Sequence, residues 1–193
     1  MKKLLLVLCA TLMVNAQAGV LVEPYLGYRL VSGEDSNSSK TEYDYNGSVI
    51  GGRLGYQFLG FMGGLDYSRG LGAYELEQKD SSGTSKNDYT QSSFGLFAGY
   101  ELPILLRAWV TYWMSNKLEG DSGAVNGDEF NGSGYGLGIG FTGLPFVSLN
   151  LEYRNMTYDE FFDKAAGTTT ALSGDSEIGM SEILLSVSLP LDF

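Results

Sequence analysis

Apolar and polar residues alternate with a period of two along eight stretches of this 193-residue chain. Successive side chains of a β-strand point to opposite faces of a sheet, so the alternation predicts strands with one apolar and one polar face. No stretch has a convincing helical period. The predicted strands cover residues 22–30, 48–58, 61–68, 91–102, 106–114, 134–141, 147–154 and 182–193.

The connections between these strands alternate in length. Strands two and three meet at Leu59-Gly60, strands four and five around Pro103, and strands six and seven around residues 143–145. These connections are short enough to be hairpin turns. The other four are long and rich in Gly, Ser, Asn and Asp, which predicts short turns at one end and long loops at the other. The long segments are 32–47, 70–88, 116–133 and 158–178.

The charge of the chain excludes several functions. It has 12 Lys and Arg, 23 Asp and Glu, and no His, and the four long segments hold 17 of the acids but 5 of the bases. Nucleic acid is not an expected partner, because binding it requires a basic surface. Without His there is no imidazole base or His-ligated metal. We expect no catalytic residue, cofactor or metal site, and no enzyme activity.

The first residues have the pattern of a secretory signal. Lys2 and Lys3 precede an apolar run over residues 4–14, and Ala16-Gln17-Ala18 then offers the small residues that a signal peptidase reads. The run is too short to be a membrane-spanning helix. We therefore predict a cleaved signal peptide over residues 1–18 and a single domain over residues 19–193, with a net charge of −13 and no cysteine.

The polar face of the predicted strands carries many glycines and nearly balanced charges, which suits a crowded interior. In a soluble lipocalin-like barrel, by contrast, the apolar face would point inward and the charged face would meet water. Eight strands of about 10 residues, tilted near 40°, cover the roughly 25 Å apolar band of an outer membrane and can close without a free edge. The predicted fold is all-β: an eight-stranded antiparallel up-and-down transmembrane β-barrel with short periplasmic turns and long extracellular loops. The predicted lumen charges are Glu23, Arg29, Arg53, Asp66, Glu101, Arg107, Glu152, Arg154 and Glu182.

Residues 20–193 resemble the small eight-stranded outer-membrane β-barrel proteins of Gram-negative bacteria and are similar to the transmembrane domain of OmpA. The most specific match is the alternation that ends on Phe193, and the opening Glu23-Pro24-Tyr25-Leu26-Gly27-Tyr28 is a weaker one. In that family the last strand is the signal read by the barrel assembly machinery, which implies this role for Val187, Leu189, Leu191 and Phe193. The resemblance also implies the outer membrane as the location, outer-membrane lipid and lipopolysaccharide as partners, and a monomer. No periplasmic domain follows the eighth strand, so the cell-wall tether of OmpA is not expected.

The turns predict the strand register. A turn at Leu59-Gly60 pairs residues whose numbers sum to 119, which sets Arg53 opposite Asp66. A turn over residues 103–105 pairs positions that sum to 208, so that Glu101 faces Arg107. These two pairs are predicted to form ion pairs in the lumen. The other predicted partners on the lumen face are Gly99 with Trp109, Gly95 with Trp113, Gly136 with Glu152 and Gly134 with Arg154.

Three functions remain open from the sequence. The first is a structural or surface-interaction barrel whose polar lumen is plugged by pairs of Arg and acidic residues. The second is a narrow passive pore for ions or small solutes. The third is a conduit for hydrophobic ligands, like the OmpW-type barrels, which the charges in the lumen disfavour.

Overall fold

A computed structural model of the chain describes residues 18–35, 41–80 and 83–193. The predicted signal peptide lies outside this range, apart from Ala18. Within it, no helix is long and apolar enough to cross a membrane. The strands are β1 (Ala18–Asp35), β2 (Glu42–Phe58), β3 (Phe61–Gly70), β4 (Tyr74–Asp80), β5 (Gly83–Leu102), β6 (Leu106–Gly120), β7 (Glu129–Phe141), β8 (Ser148–Asp163), β9 (Thr168–Ala171), β10 (Ile178–Ser188) and β11 (Leu191–Asp192).

These strands form a closed ring with eight positions, in which every pairing is antiparallel. β3 and β4 occupy one position between β2 and β5, while β10 and β11 occupy one position beside β1. β1 closes the ring, because it pairs with β2 on one side and with β10 and β11 on the other. β9 is an addition that pairs only with β8. The predicted eight-stranded barrel is confirmed.

The barrel is apolar outside and charged inside, as the alternation predicted. Leu26 and Leu54 are 56% and 54% exposed, whereas Arg29 and Asp66 have no exposed surface. A soluble barrel would have the opposite polarity, because burial of apolar surface away from water drives its folding. The outer surface therefore suits a hydrocarbon solvent.

Aromatic residues are concentrated near both ends of the apolar outer surface. At the end that carries the short connections, called the short-turn end below, Phe61 packs on Tyr100 with ring centroids 4.7 Å apart. Toward the opposite, long-loop end, Tyr67, Tyr112 and Tyr135 are exposed. Two such girdles are typical of transmembrane β-barrels, where aromatic rings lie at the two membrane interfaces.

The four long segments contain much more strand than predicted. β1 continues to Asp35 and β2 begins at Glu42, while β4 lies entirely within the second segment. Backbone pairing requires no apolar face, so the ladders continue beyond the apolar band. The period of two used above misses these extensions because their outward face is polar and their apolar residues point inward, as in β4, where Tyr74 and Leu76 are buried and Glu75 is exposed. Two short 3₁₀ turns, Gly123–Val125 and Gly174–Ser176, complete these segments.

Two of the three predicted registers are confirmed, and the third is wrong by two residues. Arg53 pairs with Asp66 and Glu101 pairs with Arg107 in their ladders. Between β7 and β8, however, Arg154 faces Gly136 in place of the predicted Gly134. Likewise, the partner of Glu152 is Gly138 and not Gly136. The connection spans six residues, 142–147, instead of three, which shifts the pairing without changing the face.

The observed register predicts which engineered disulfide forms between β7 and β8. Leu137 lies directly opposite Tyr153, and both face outward. Directly opposite Cα atoms are about 4.5–5.5 Å apart, within the range that a disulfide spans. Leu137→Cys with Tyr153→Cys should therefore cross-link in refolded protein on mild oxidation, as seen by non-reducing electrophoresis.

The control is Leu137→Cys with Leu151→Cys, the pair that a three-residue turn would place together. It should remain reduced under the same conditions, because the two residues are offset by one diagonal step. Preferential cross-linking of this control pair would contradict the register.

Candidate functional site in the barrel lumen

The lumen side chains form three layers along the barrel axis. At the short-turn end lies a small apolar cluster of Leu21, Met62, Phe97 and Trp109. Charged side chains occupy the middle. Above them, toward the long-loop end, a larger aromatic and aliphatic cluster includes Tyr45, Tyr74, Trp113, Leu118, Tyr158 and Met180.

Eight of the nine charged residues predicted for the lumen are buried and lie in one chain of contacts. Four of them are arginines and four are acids, so the group carries no net charge. Glu23 and Arg29, both on β1, are six residues apart, which corresponds to about 20 Å along the strand. The network thus extends over much of the apolar band. In order of contact its members are Arg107, Glu23, Arg53, Glu152, Arg154, Glu182 and Arg29, with Asp66 attached to Arg53.

Arg53 on β2 is the central residue of this network. Its Nε donates to Asp66 Oδ2 at 2.9 Å, and its Nη2 donates to Glu152 Oε2 at 3.0 Å. Its Nη1 lies 3.6 Å from Glu23 Oε1. The guanidinium also lies over the Trp109 ring, 4.2 Å from its centroid, a favourable position for a cation. One arginine thereby links carboxylates from β1, β3 and β8.

Arg107 on β6 binds Glu23 through two hydrogen bonds. Nη1 donates to Glu23 Oε2 at 2.9 Å, and Nη2 donates to Glu23 Oε1. Nη2 also donates to Asn150 Oδ1 at 2.8 Å and to Ser188 Oγ at 3.1 Å. A bidentate pair of this kind fixes geometry as well as charge. It connects β6 to β1 across the lumen.

Arg154 and Arg29 complete the network toward the long-loop end. Arg154 Nε donates to Glu152 Oε1 at 2.6 Å, and Arg154 Nη1 lies 3.4 Å from Glu182 Oε1. Arg29 Nη1 donates to Gln91 Oε1 and lies 3.5 Å from Glu182 Oε2. Among the described residues, Nε and Nη2 of Arg29 have no hydrogen-bond partner. Arg29 is therefore the least satisfied of the four arginines.

Glu101 does not form the ion pair predicted for it. It stands opposite Arg107 in the ladder, but it accepts a hydrogen bond of 2.9 Å from Gln57 Nε2 while Arg107 binds Glu23. Glu101 is near the short-turn end and is only partly buried. A long arginine side chain reaches across the lumen to a fully buried carboxylate, so ladder neighbours need not be partners.

The glycines of β7 make room for the large lumen side chains. A Cβ at Gly138 would lie 2.1 Å from Trp109 Cε2, a distance at which the indole would have to move. Trp109 in turn donates from Nε1 to Glu152 Oε2 at 3.2 Å. The smallest residue type thus lets the indole lie against the wall and reach the network. The sequence predicted this role for glycine, and its pairings of Gly99 with Trp109 and of Gly95 with Trp113 are confirmed. The second glycine beside Trp109, Gly138 on β7, was not predicted.

Several uncharged residues of the lumen were not recognised from the sequence. Tyr25 donates to Asp66 Oδ1 at 2.9 Å. Asn116, predicted to begin a loop, is fully buried, accepts from Gln91 Nε2 at 2.9 Å and donates to Tyr158 at 2.7 Å. A bulge between Trp113 and Asn116 shifts the alternation and turns Asn116 inward. Simple alternation places Asn116 on the wrong face, and no local signal marks the bulge.

The charges outside the barrel form weaker, exposed pairs. In the β4–β5 hairpin, Lys86 Nζ lies 2.6 Å from Glu75 Oε1. The hydrogen bond to Glu75 and the charge of its carboxylate raise the pKa of Lys86 above its ordinary value. Among the described residues, no group of three or more acidic or cysteine side chains is arranged to hold a metal ion.

The four residues of the predicted assembly signal lie on the outer surface at the closing seam. Val187 is on β10, opposite Leu26, and Leu191 is on β11, opposite Val22. Leu189, between the two strands, donates its backbone N–H to the Pro24 carbonyl at 3.0 Å. Phe193 exchanges two backbone hydrogen bonds with Val20, of 2.9 and 3.1 Å. These residues thus join the end of the ring to its beginning.

A closed ring of eight antiparallel strands, apolar outside and charged inside, is the fold of the small outer-membrane β-barrels. Neisserial surface protein A (NspA) shares it, with a TM-score of 0.52 and 18% identity over 90% of this chain and 98% of that one. Ail, the attachment invasion locus protein of Yersinia pestis, solved with the heparin analogue sucrose octasulfate, has a TM-score of 0.56 and 12% identity, covering 90% of this chain and 99% of Ail. For OprG from Pseudomonas aeruginosa the TM-score is 0.52 and the identity 11%, over 91% and 97% of the two chains.

These likenesses establish the fold alone, because all three identities are low. No family model matches the chain, and no curated protein matches its sequence. The resemblance to the OmpA domain in particular stays a prediction.

The network predicts that Arg53 contributes more to stability than any exposed basic residue. Arg53→Gln leaves three buried carboxylates without their shared cation, and breaking a buried ion pair costs roughly 3–5 kcal/mol. The free energy of unfolding in lipid vesicles should fall by about this amount, measured by tryptophan fluorescence in urea. Adding Asp66→Asn should recover only part of it, because Glu23 and Glu152, although still bound by Arg107 and Arg154, also lose their contacts with Arg53.

Lys86→Gln is the matched control, because Lys86 also forms a short ion pair, but this pair is exposed to solvent. It should leave the unfolding curve almost unchanged. Equal effects of Arg53→Gln and Lys86→Gln, or strictly additive losses for Arg53→Gln and Asp66→Asn, would contradict a coupled buried network.

Proposed function

We propose that the protein is an integral outer-membrane β-barrel of a Gram-negative bacterium, with a structural or surface-interaction role and no enzyme activity. Its contacts are outer-membrane lipid and lipopolysaccharide around the barrel, and it acts as a monomer. The lumen serves as a polar core that closes the barrel and does not conduct. The surface role belongs to the strand extensions and loops at the long-loop end.

The observation that carries this proposal is the inverted polarity of the barrel together with the balanced network inside it. Large apolar side chains face outward all around the ring, while four arginines and four acids are buried in the lumen. An eight-stranded barrel has an interior just wide enough for side chains. Arg53 and Trp109 lie across its middle and contact partners on other strands. These contacts favour a plugged lumen and argue against a water-filled pore.

The long-loop end supports the surface-interaction part of the proposal. Its four segments hold 17 acidic and 5 basic residues, and their strand extensions stand beyond the apolar band. Acidic groups near lipopolysaccharide phosphates favour association through divalent cations, and otherwise keep the surface solvated. The long-loop end therefore presents a negatively charged surface to the medium.

Bilayer conductance tests the closed lumen directly. Refolded wild-type protein in a planar bilayer should show no steady channel current. Arg53→Ser with Asp66→Ser removes one positive and one negative side chain from the middle of the lumen and should produce transient openings. The control is Lys86→Ser with Glu75→Ser, an exposed pair of the same type, which should stay silent.

A steady open channel in the wild-type protein would overturn the closed-lumen proposal and favour the passive pore.

The outer-membrane barrel assignment predicts that boiled and unboiled samples differ in apparent mass on SDS gels. Recovery of the protein as a soluble periplasmic monomer would overturn the outer-membrane assignment itself.

We assign recognition by the barrel assembly machinery to the outward residues of the closing seam. Phe193 is exposed and pairs through its backbone with Val20. Phe193→Asp should reduce the amount of folded barrel in cells severalfold, measured by heat-modified migration on gels. Phe146→Asp is the control, because Phe146 is an equally exposed aromatic residue at the short-turn end that lies outside the seam. Equal losses from the two changes would count against a seam-specific signal.

A further inference from the structure

A small cavity lies in the lumen at the long-loop end, above the charged layer. Its volume is about 130 Å³, and β2, β4, β5, β6, β7, β8 and β10 all contribute to its wall. The aliphatic and sulfur-containing side chains of the wall are Leu76, Leu118, Ile178 and Met180. Phe130 and the tyrosines Tyr43, Tyr89 and Tyr158 add aromatic rings, and Gln78 is the only amide among the described residues of the wall. None of those residues is charged.

The cavity is an unfilled part of a packed cluster. Leu76, Leu118, Tyr158, Ile178 and Met180 are each less than a tenth exposed and belong to the same apolar cluster. Protein interiors are normally packed to the density of organic crystals, and empty apolar space lowers stability. The surrounding side chains are large and come from many strands, yet they leave this volume open.

The size and chemistry of the wall define the class of molecule that fits. Pockets for drug-sized ligands are about 300–1,000 Å³, so this cavity is too small for them. An engineered apolar cavity of about 150 Å³ in another protein binds benzene. Aromatic rings and the Met180 thioether interact favourably with a further ring, through edge-to-face and sulfur–aromatic contacts. The uncharged wall offers no partner for an ionic group.

The floor of the cavity is polar and closed. Tyr158 OH accepts from Asn116 Nδ2 at 2.7 Å, and Asn116 Oδ1 accepts from Gln91 Nε2 at 2.9 Å. Gln91 in turn accepts from Arg29, the last member of the charged network. An apolar molecule that moved further along the axis would have to break these bonds and strand buried polar groups. Among the described residues, the cavity therefore has no apolar path to the short-turn end.

We propose that this cavity is a binding site for a single-ring aromatic molecule, or an apolar molecule of similar size, and that the molecule stops at the polar floor. The site is a dead-ended cup at the mouth of the barrel. This function goes beyond the structural role proposed above and does not depend on it.

The methionines of the barrel report the position of a bound ring. Met180 lines the cavity, Met62 lies in the apolar cluster on the other side of the charged layer, and Met114 faces outward. Refolded protein with ¹³C-labelled methionine methyl groups is titrated with toluene in detergent micelles and followed by NMR. The Met180 methyl signal should shift with saturation, while the Met62 and Met114 signals should not follow that curve.

A matched pair of substitutions on β10 separates the cavity from the outer surface. Ile178→Trp fills the cavity and should weaken the saturable shift at least tenfold. Ile183→Trp makes the same change on the outward face and should leave binding intact. If Ile178→Trp fails to fold, Leu118→Phe, with the outward Leu137→Phe as its control, makes the same comparison with a smaller change.

Three results would overturn the proposal. A Met180 shift that rises linearly alongside Met114 would show partition of toluene into the micelle and the barrel surface. A saturable shift at Met62 would show passage through the charged layer, which is a conduit and not a cup. Undiminished binding in the folded cavity-filling variant would place the ring elsewhere. The first and third results leave the closed-lumen proposal unaffected, whereas the second would also count against it; bilayer conductance tests that proposal separately.

Discussion

The contact between Arg53 and three carboxylates is the interaction on which the rest of the lumen depends. Glu23, Asp66 and Glu152 come from strands on different sides of the ring, and Arg53 holds all three within 3.6 Å. A buried guanidinium is costly unless its charge and its donors are matched. The barrel meets this condition with an equal number of arginines and acids, and the matching fixes which side chains occupy the middle of the lumen.

This arrangement is the reverse of that in a soluble protein, where apolar side chains lie inside and charged side chains lie outside. The outer surface is apolar and suits lipid as its solvent, and in such a solvent burial of apolar area does not hold the walls together. Cohesion comes from the continuous backbone ladder, from the charged network, and from two apolar clusters that close the lumen on either side of it. The indoles of Trp109 and Trp113 connect these layers, because the face of each ring packs against a guanidinium of the network. Trp109 contacts Arg53, and Trp113 contacts Arg154.

The sequence predicted the fold, the inward and outward faces, and two registers, because period-two alternation and tight turns determine those features locally. It missed the β7–β8 register, since nothing in residues 142–147 distinguishes a three-residue turn from a six-residue one. Contacts across the lumen were not predicted from the sequence either. Glu101 faces Arg107 along the wall, yet Arg107 reaches over to Glu23, and only the curvature of the closed ring brings those two together. The cavity at the mouth was missed for the same reason.

The closing seam joins the first strand of the ring to the last, and its ladder lacks a hydrogen bond at Pro24. Pro24 on β1 accepts from the Leu189 N–H but has no N–H of its own to donate in return. All other ring pairings join strands that are near neighbours in the chain, whereas this one must bring together segments more than 140 residues apart, the contact with the largest loop-closure entropy. We therefore expect the hairpins to form first and the ring to close last, at the strand pair where a backbone hydrogen bond is missing. The closed ring would also open first at this strand pair.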